Sequence, residues 1–540
     1  MKTTTGGKKM KKKLALLLVL AMVVACLAAC AGATTGGGNT TNTDSDTTNQ
    51  GDTNTGDSNG ESSGGTRDDV VVRVEATWGT FDPFKSTLYV EYFEMNQMYE
   101  ALTWVNDDGE ITPVLAESWE ISDDGTEITL NIRQGVKFHS GDELKASDVA
   151  FTLNTAKNEV AVRSHLGSFI EATATDDYTV VCKLETPFAP FMSFISNIRI
   201  VNEAYYKEHN GDLDTNVNGT GPYKLVDVDL NSVCHLTAFE DYWQGPPAIK
   251  DITFTIITDD TTAAVSYMAG EVDFIMCPAS QYLEISAQPE QYAFAALPTK
   301  HTALFSMNHE REPFNNKLVR QALNYATDRE TMCQVAFEGY AEPAWLQGNE
   351  TCFGINYDYA VQYPYDLEKA KELLTEAGYP DGVDLGTMYT IAGSYFDKCA
   401  VVFQSSIMEL GCTVELVGMD STAMTAEILA GNYDMATPGQ SFSTDFAYAS
   451  RQYTTSGIGS GNYGRYSNPV VDELFAEAEA ETDSDKRLEL YGQVIEIVTD
   501  DAVDIPLFHK NLMFAWNKDL NCVVHPDSSY PYFVYNWSWK

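Results

Sequence analysis

The chain is short of positive charge. Its 540 residues hold 34 Lys and Arg against 78 Asp and Glu, so it lacks the basic footprint that a nucleic-acid partner requires. None of its ten cysteines forms a Cys-x-x-Cys pair, and neither a zinc ribbon nor a thiol redox motif follows from them. The eight histidines stand singly, with no His-Glu-x-x-His string and no Walker A sequence. The usual constellations for metal-assisted hydrolysis and nucleotide chemistry are therefore missing, and no catalytic residue, metal or cofactor is expected. The apolar run from Leu14 to Ala29 stops at 16 residues, short of the roughly 20 that cross a bilayer as a helix.

What is present begins with that run. Lys2, Lys8, Lys9, Lys11, Lys12 and Lys13 precede it, which is the layout of a secretory signal. It ends in Leu27-Ala28-Ala29-Cys30, which resembles the bacterial lipobox, and this implies cleavage after Ala29 and a diacylglyceryl thioether on Cys30. Of residues 31 to 66, 32 of 36 are Gly, Ser, Thr, Asn or Asp, too polar to form a core, so residues 30–66 read as a lipidated cysteine and a disordered tether. A flexible coil of that length reaches roughly 30 to 36 Å. The expected place is the outer face of the bacterial cytoplasmic membrane, with the membrane a partner through the lipid. Without residues 1–29 the chain keeps 28 Lys and Arg and a formal charge of −50, read here as solubility rather than steering.

The remaining body is long enough for a full core and more than one domain. Stretches rich in β-branched residues at 70 to 76, 127 to 132, 178 to 184 and 251 to 257 predict strands. Helices are expected from Asp366 as N-cap to a stop at Gly378, from Asn468 with Pro469 in the first turn, and over 317 to 330. Turn clusters at Asn106-Asp107-Asp108-Gly109 and Asp123-Asp124-Gly125 suggest an early meander. Strands and helices interleave without a repeat, which points to α/β lobes. Two G-x-S-x-G matches fall in the tether, where nothing can strain a serine into a nucleophile elbow. Gly459 to Gly464 spells G-x-G-x-x-G but precedes no helix start, so it reads as a loop.

Several strings occur in order along the body: Phe81-Asp82-Pro83-Phe84, Tyr99-Glu100-Ala101-Leu102, Pro113 to Glu120, Ile132 to Gly141, Gly219-Thr220-Gly221-Pro222-Tyr223, Tyr242-Trp243 and Val319 to Ala326. Together they resemble the extracellular solute-binding proteins of family 5, the dipeptide, oligopeptide and nickel binders of ABC importers. The resemblance implies an α/β fold, a two-lobed clamshell of the periplasmic-binding-protein class II type with an additional inserted subdomain. Lobe I is expected from 67–98 with 211–300 and 511–540, the subdomain from 99–210, and lobe II from 301–510.

The resemblance further implies a monomer that encloses a short peptide between its lobes and delivers it to ABC permease and ATPase subunits. In peptide-binding relatives the ligand lies as an added strand and an aspartate holds its terminal ammonium. Ser441-Phe442-Ser443-Thr444-Asp445 occupies the place of that aspartate loop, which assigns the ammonium to Asp445 and contacts to Ser441 and Phe442. The loop departs from the family in lacking the Gly-Trp lead and the following proline. Thr87, Leu88 and Tyr89 match the strand against which relatives lay the peptide, and Met307 and Asn308 are further expected contacts. The competing readings are an oligosaccharide or another solute in the same fold, for which Trp78, Tyr89, Tyr92, Tyr99 and Trp104 could supply stacking rings, and a surface peptide sensor without transport.

Overall fold

The run Val70-Val71-Val72-Arg73-Val74 favours an extended chain buried on both faces, and it becomes a central strand. The computed structural model describes residues 67–106, 109–438, 445–525 and 532–540. The signal, Cys30, the tether, Ser441 and Phe442 lie outside the described residues. The strands used below are β1 (Asp69–Val74), β2 (Tyr223–Asp229), β3 (Val233–Ala238), β4 (Asp251–Ile256), β5 (Phe274–Met276), β6 (Tyr292–Met307), β7 (Ala341–Pro343), β8 (Asp384–Ile391), β9 (Thr413–Met419), β10 (Met435–Ala436) and β11 (Asp504–Asn517). They form a sheet in the order β9-β8-β10-β6-β11-β5-β1-β4-β3-β2, with β7 beside β11.

β1 runs parallel to β4 and β5, and β8 runs parallel to β9 and β10, and parallel pairs require long crossovers. Between these halves, β6 and β11 pair antiparallel and belong to both. Tyr292 to Pro298 pairs with Asn511 to Asn517 near β5, while Thr302 to Ser306 pairs with Asp504 to His509 near β10. The register breaks between Pro298 and Thr302 and again between Ala303 and Leu304, and such irregularities bend a strand pair locally. One lobe centres on Phe305, Leu323 and Phe403, and the other on Val72, Phe254 and Phe274.

The helices used below are α1 (Tyr89–Met98), α2 (Ala146–Ala156), α3 (Lys317–Tyr325), α4 (Arg329–Phe337), α5 (Leu367–Glu376), α6 (Pro469–Ala480) and α7 (Ser484–Asp500). α5 starts where its signals place it, with the Asp366 side chain accepting from the Lys369 amide, and α6 starts at Asn468 in the same way. The helix expected over 317 to 330 is two helices: α3 ends at Tyr325, and Asp328 caps α4 by accepting from the Thr331 amide. Helical periodicity carries no notice of such a break, because both pieces bury apolar faces.

The inserted strands Ala116–Ile121, Glu127–Ile132, Phe169–Ala174 and Thr179–Leu184 make a separate antiparallel sheet. The turn at Asp123-Asp124-Gly125 does join its first two strands, with Gly125 at φ +68°. It is not a simple meander, since Glu127–Ile132 pairs with Thr179–Leu184 rather than with the next strand in sequence, because α2 crosses between them.

Several of the family strings converge where this sheet meets the larger one. The Glu100 carboxylate accepts from the Thr220 hydroxyl at 2.8 Å, the Tyr242 hydroxyl at 2.8 Å and the Trp243 indole N–H at 3.0 Å. Burial pushes its pKa up to about 7, against those three hydrogen bonds and the nearby Arg133. His139 turns its Nε2 to the Gly221 carbonyl at 3.0 Å. A Cβ on Gly219 would sit 2.1 Å from the Met98 carbonyl oxygen, so the glycine lets the chain lie directly against the end of α1.

Candidate functional site

The segment Ser86 to Tyr89 is held by one carboxylate. Glu91, in the first turn of α1, accepts from the amides of Gly79 and Thr80 through Oε1 and from the Ser86 hydroxyl through Oε2 at 2.7 Å. Glu91 is buried, and the loop it secures leaves Thr87 and Leu88 exposed, Leu88 by 46%. Tyr89 is the first residue of α1.

Asp445 lies at the opposite extreme, with 2% of its surface exposed. Its backbone pairs with Phe353, whose carbonyl accepts from the Phe446 amide at 2.8 Å. Oδ1 accepts from the Ala447 amide at 2.9 Å, capping a short 3-10 turn, and from the Tyr491 hydroxyl at 3.3 Å. Among the described residues, Oδ2 faces only the Arg487 guanidinium, 3.8 Å away. Burial raises the carboxyl above the ordinary aspartate range, and Arg487, the Ala447 amide and Tyr491 oppose that rise. The charge on this group is therefore costly and only partly compensated from within the protein.

Arg487 and Tyr491 stand four residues apart on α7 and so on one face. The guanidinium lies over the Phe353 ring at 4.4 Å, and its buried Nε has no hydrogen-bond partner among the described residues. Neither residue was flagged by the sequence, where the pair reads as part of an amphipathic helix. Only the fold shows that this face meets Asp445.

Met307 and Asn308 lie elsewhere. Met307 is fully buried in the core of its lobe. The Asn308 side-chain amide donates to the carbonyls of Tyr433 at 3.0 Å and Gly431 at 3.2 Å, so its polar group is spent inside the lobe. Of the aromatic residues near the start, Tyr99 and Trp104 line one pocket together with Tyr242 and Phe533, and Trp78 is not among its lining. Trp78 is buried against Phe81, Tyr99 is 2% exposed, and Trp104 meets Phe533 edge-on at 5.0 Å.

The register break in the long strands carries its own polar network. Thr302 Oγ1 is 3.1 Å from His509 Nδ1 and accepts from the Gly348 amide, while His509 Nε2 is 2.6 Å from the Tyr357 hydroxyl. Burial lowers the His509 pKa to about 4, so the ring is neutral near pH 7 and shares hydrogen bonds without adding charge. Two lobes joined by two continuous, locally irregular strands are the arrangement of a hinged binding protein.

The feature that stands out in the described site is a buried, partly compensated carboxylate. Residues 110–462 match the model of the bacterial extracellular solute-binding proteins, family 5 (middle region), and the chain belongs to that family. It is 30% identical over 484 residues to the glutathione-binding protein GsiB of Salmonella paratyphi A, covering 86% of this chain and 93% of the relative. The substrate-binding protein CtaP of Listeria monocytogenes has the same fold, with a TM-score of 0.80 at 24% identity over 88% of this chain and all of the other. DppA of Helicobacter pylori, solved with the peptide STSA, superposes with a TM-score of 0.73 at 25% identity, covering 88% of this chain and 98% of DppA.

Proposed function

We propose that this chain is the solute-capturing lipoprotein of an ABC importer and that its ligand is a short peptide held through its terminal ammonium by Asp445. The observation that carries this reading is the Asp445 carboxylate itself: buried, raised in pKa by burial, and with Oδ2, among the described residues, no closer than 3.8 Å to a cation. An α-ammonium has a reference pKa of about 7.7 to 8.0 and is mostly charged at neutral pH. Closing over it relieves the cost of the buried carboxylate, which favours ligands that bring a cation. The relatives support the size class, because GsiB is named for glutathione and DppA was solved with a four-residue peptide. In this reading the exposed Thr87-Leu88 segment offers main-chain groups to an extended ligand, so that affinity comes from atoms every peptide shares.

The test is thermal stability of residues 67–540 after refolding to remove carried-over ligand. Binding to the native state alone raises stability by about 2.7 kcal/mol at a hundredfold excess over Kd. A shift is expected with free-amine peptides and not with their N-acetylated forms. A shift with oligosaccharides alone would keep the fold and overturn the ligand.

Anchoring through Cys30 belongs to the same proposal, with the subdomain and lobe boundaries at 99–210 and 301–510. Cys30→Ser is expected to release the protein from the membrane fraction into the medium or periplasm. Retention of the variant with membranes would remove the lipid from the reading.

A further inference from the structure

We propose that the cavity between the end of α1, the hairpin of Thr103–Val105 with Ile111–Pro113, and the C-terminal segment is a second binding site, built for a small aromatic carboxylate. It stands apart from the peptide cleft, since Thr87, Leu88, Asp445 and Arg487 all lie outside its lining.

The cavity encloses about 310 Å³, the small end of the roughly 300 to 1,000 Å³ that ligand sites span. Tyr99, Trp104, Tyr242, Phe533 and Tyr535 wall it. They are braced in edge-on pairs, Trp104 with Phe533 at 5.0 Å and Tyr242 with Tyr535 at 5.1 Å. Rings held in this way suit another flat ring, by stacking or by edge contact.

The polar groups decide what that ring carries. Most are already engaged: the hydroxyls of Thr103, Thr112 and Tyr535 donate to the carbonyls of Met192, Trp104 and Gln244, while Glu100 accepts from its three donors. A polyol would need many free partners and finds few. Asn96 is the exception. Arg199 Nε and Nη2 both donate to its Oδ1, at 2.9 and 2.6 Å. A guanidinium has only donors, so the amide oxygen is fixed toward Arg199 and the NH2 group is turned away. That buried Nδ2 has no hydrogen-bond partner among the described residues, and Asn96 is 5% exposed. Such a donor is costly until an acceptor arrives. Arg199, buried in the same wall, adds a permanent positive charge, which favours an anionic acceptor. The carboxylate of the ligand then meets the Asn96 amide while its ring lies among the aromatic walls.

Calorimetric titration with benzoate is expected to show a single saturable site at about pH 6, where most of Glu100 is protonated. Cyclohexanecarboxylate, of equal charge but without a flat ring, and benzylammonium, of opposite charge, should each bind about tenfold more weakly or worse. Asn96→Asp keeps the oxygen that Arg199 grips and replaces only the free donor, so it should weaken benzoate by about tenfold or more. Benzoate binding that is absent, that is matched by either control, or that is displaced by a free-amine peptide would overturn the site and leave peptide capture standing. The wild-type series decides this even if Asn96→Asp folds poorly.

Discussion

Glu100→Ala is expected to lower the stability of the folded body by about 3 to 5 kcal/mol, measured by denaturant unfolding at pH 7, with no direct effect on the cleft. The substitution deprives Thr220, Tyr242 and Trp243 of their acceptor, and each buried donor left without one costs roughly 1 kcal/mol or more. Glu100→Gln should cost far less, because the amide oxygen keeps an acceptor and the charge is gone. The pH dependence separates the two effects. Burial raises the folded-state pKa of Glu100 to about 7, above its value of about 4.3 in an unfolded chain. Its stabilising contribution is therefore complete below pH 4.3 and is lost as pH rises through 7. The Gln variant carries no such loss, so its stability relative to wild type should improve steadily between pH 5 and pH 8. A flat difference across that range would show that Glu100 is charged in the fold throughout.

Asp445→Asn is expected to weaken binding of a free-amine ligand by about 2 to 5 kcal/mol, the range for truncating one partner of a buried charge pair. Asparagine is the informative change, since its side-chain oxygen can still accept from the Ala447 amide and hold the turn. Alanine removes cap and charge together. Loss of affinity with unchanged thermal stability of the unliganded protein would assign the effect to charge, while unchanged affinity would reduce Asp445 to a cap. Because burial raises its carboxyl in the unliganded protein and an ammonium would lower it in the complex, wild-type affinity should fall as pH drops through the raised free-state value. That loss should begin at a higher pH than for an ordinary aspartate. On the alkaline side it should fall as the ligand amine loses its proton near pH 8.

The family strings and the strength of their match had a structural origin that sequence could not supply. Tyr99-Glu100, Gly219-Thr220-Gly221 and Tyr242-Trp243 lie far apart in the chain and meet on one buried carboxylate. Their match reflects these long-range hydrogen bonds to Glu100. A structural origin also explains Met307 and Asn308, whose string was legible but whose side chains serve the lobe interior.

The sequence by itself determined the α/β class, the positions of β1, β4 and the inserted strands Glu127–Ile132 and Thr179–Leu184, the starts of α5 and α6 at Asp366 and Asn468, and the family. These depend on local signals: β-branched runs, capping side chains, apolar periodicity and ordered motifs, all of which are written along the chain. Only the tertiary structure decided that α3 and α4 are separate, that β6 and β11 carry the join between the lobes, and that Arg487 and Tyr491 stand beside Asp445. Pairing between residues 42 to 225 positions apart depends on how buried surfaces fit together, and a buried charge chooses its partner by distance in space, which sequence spacing does not encode.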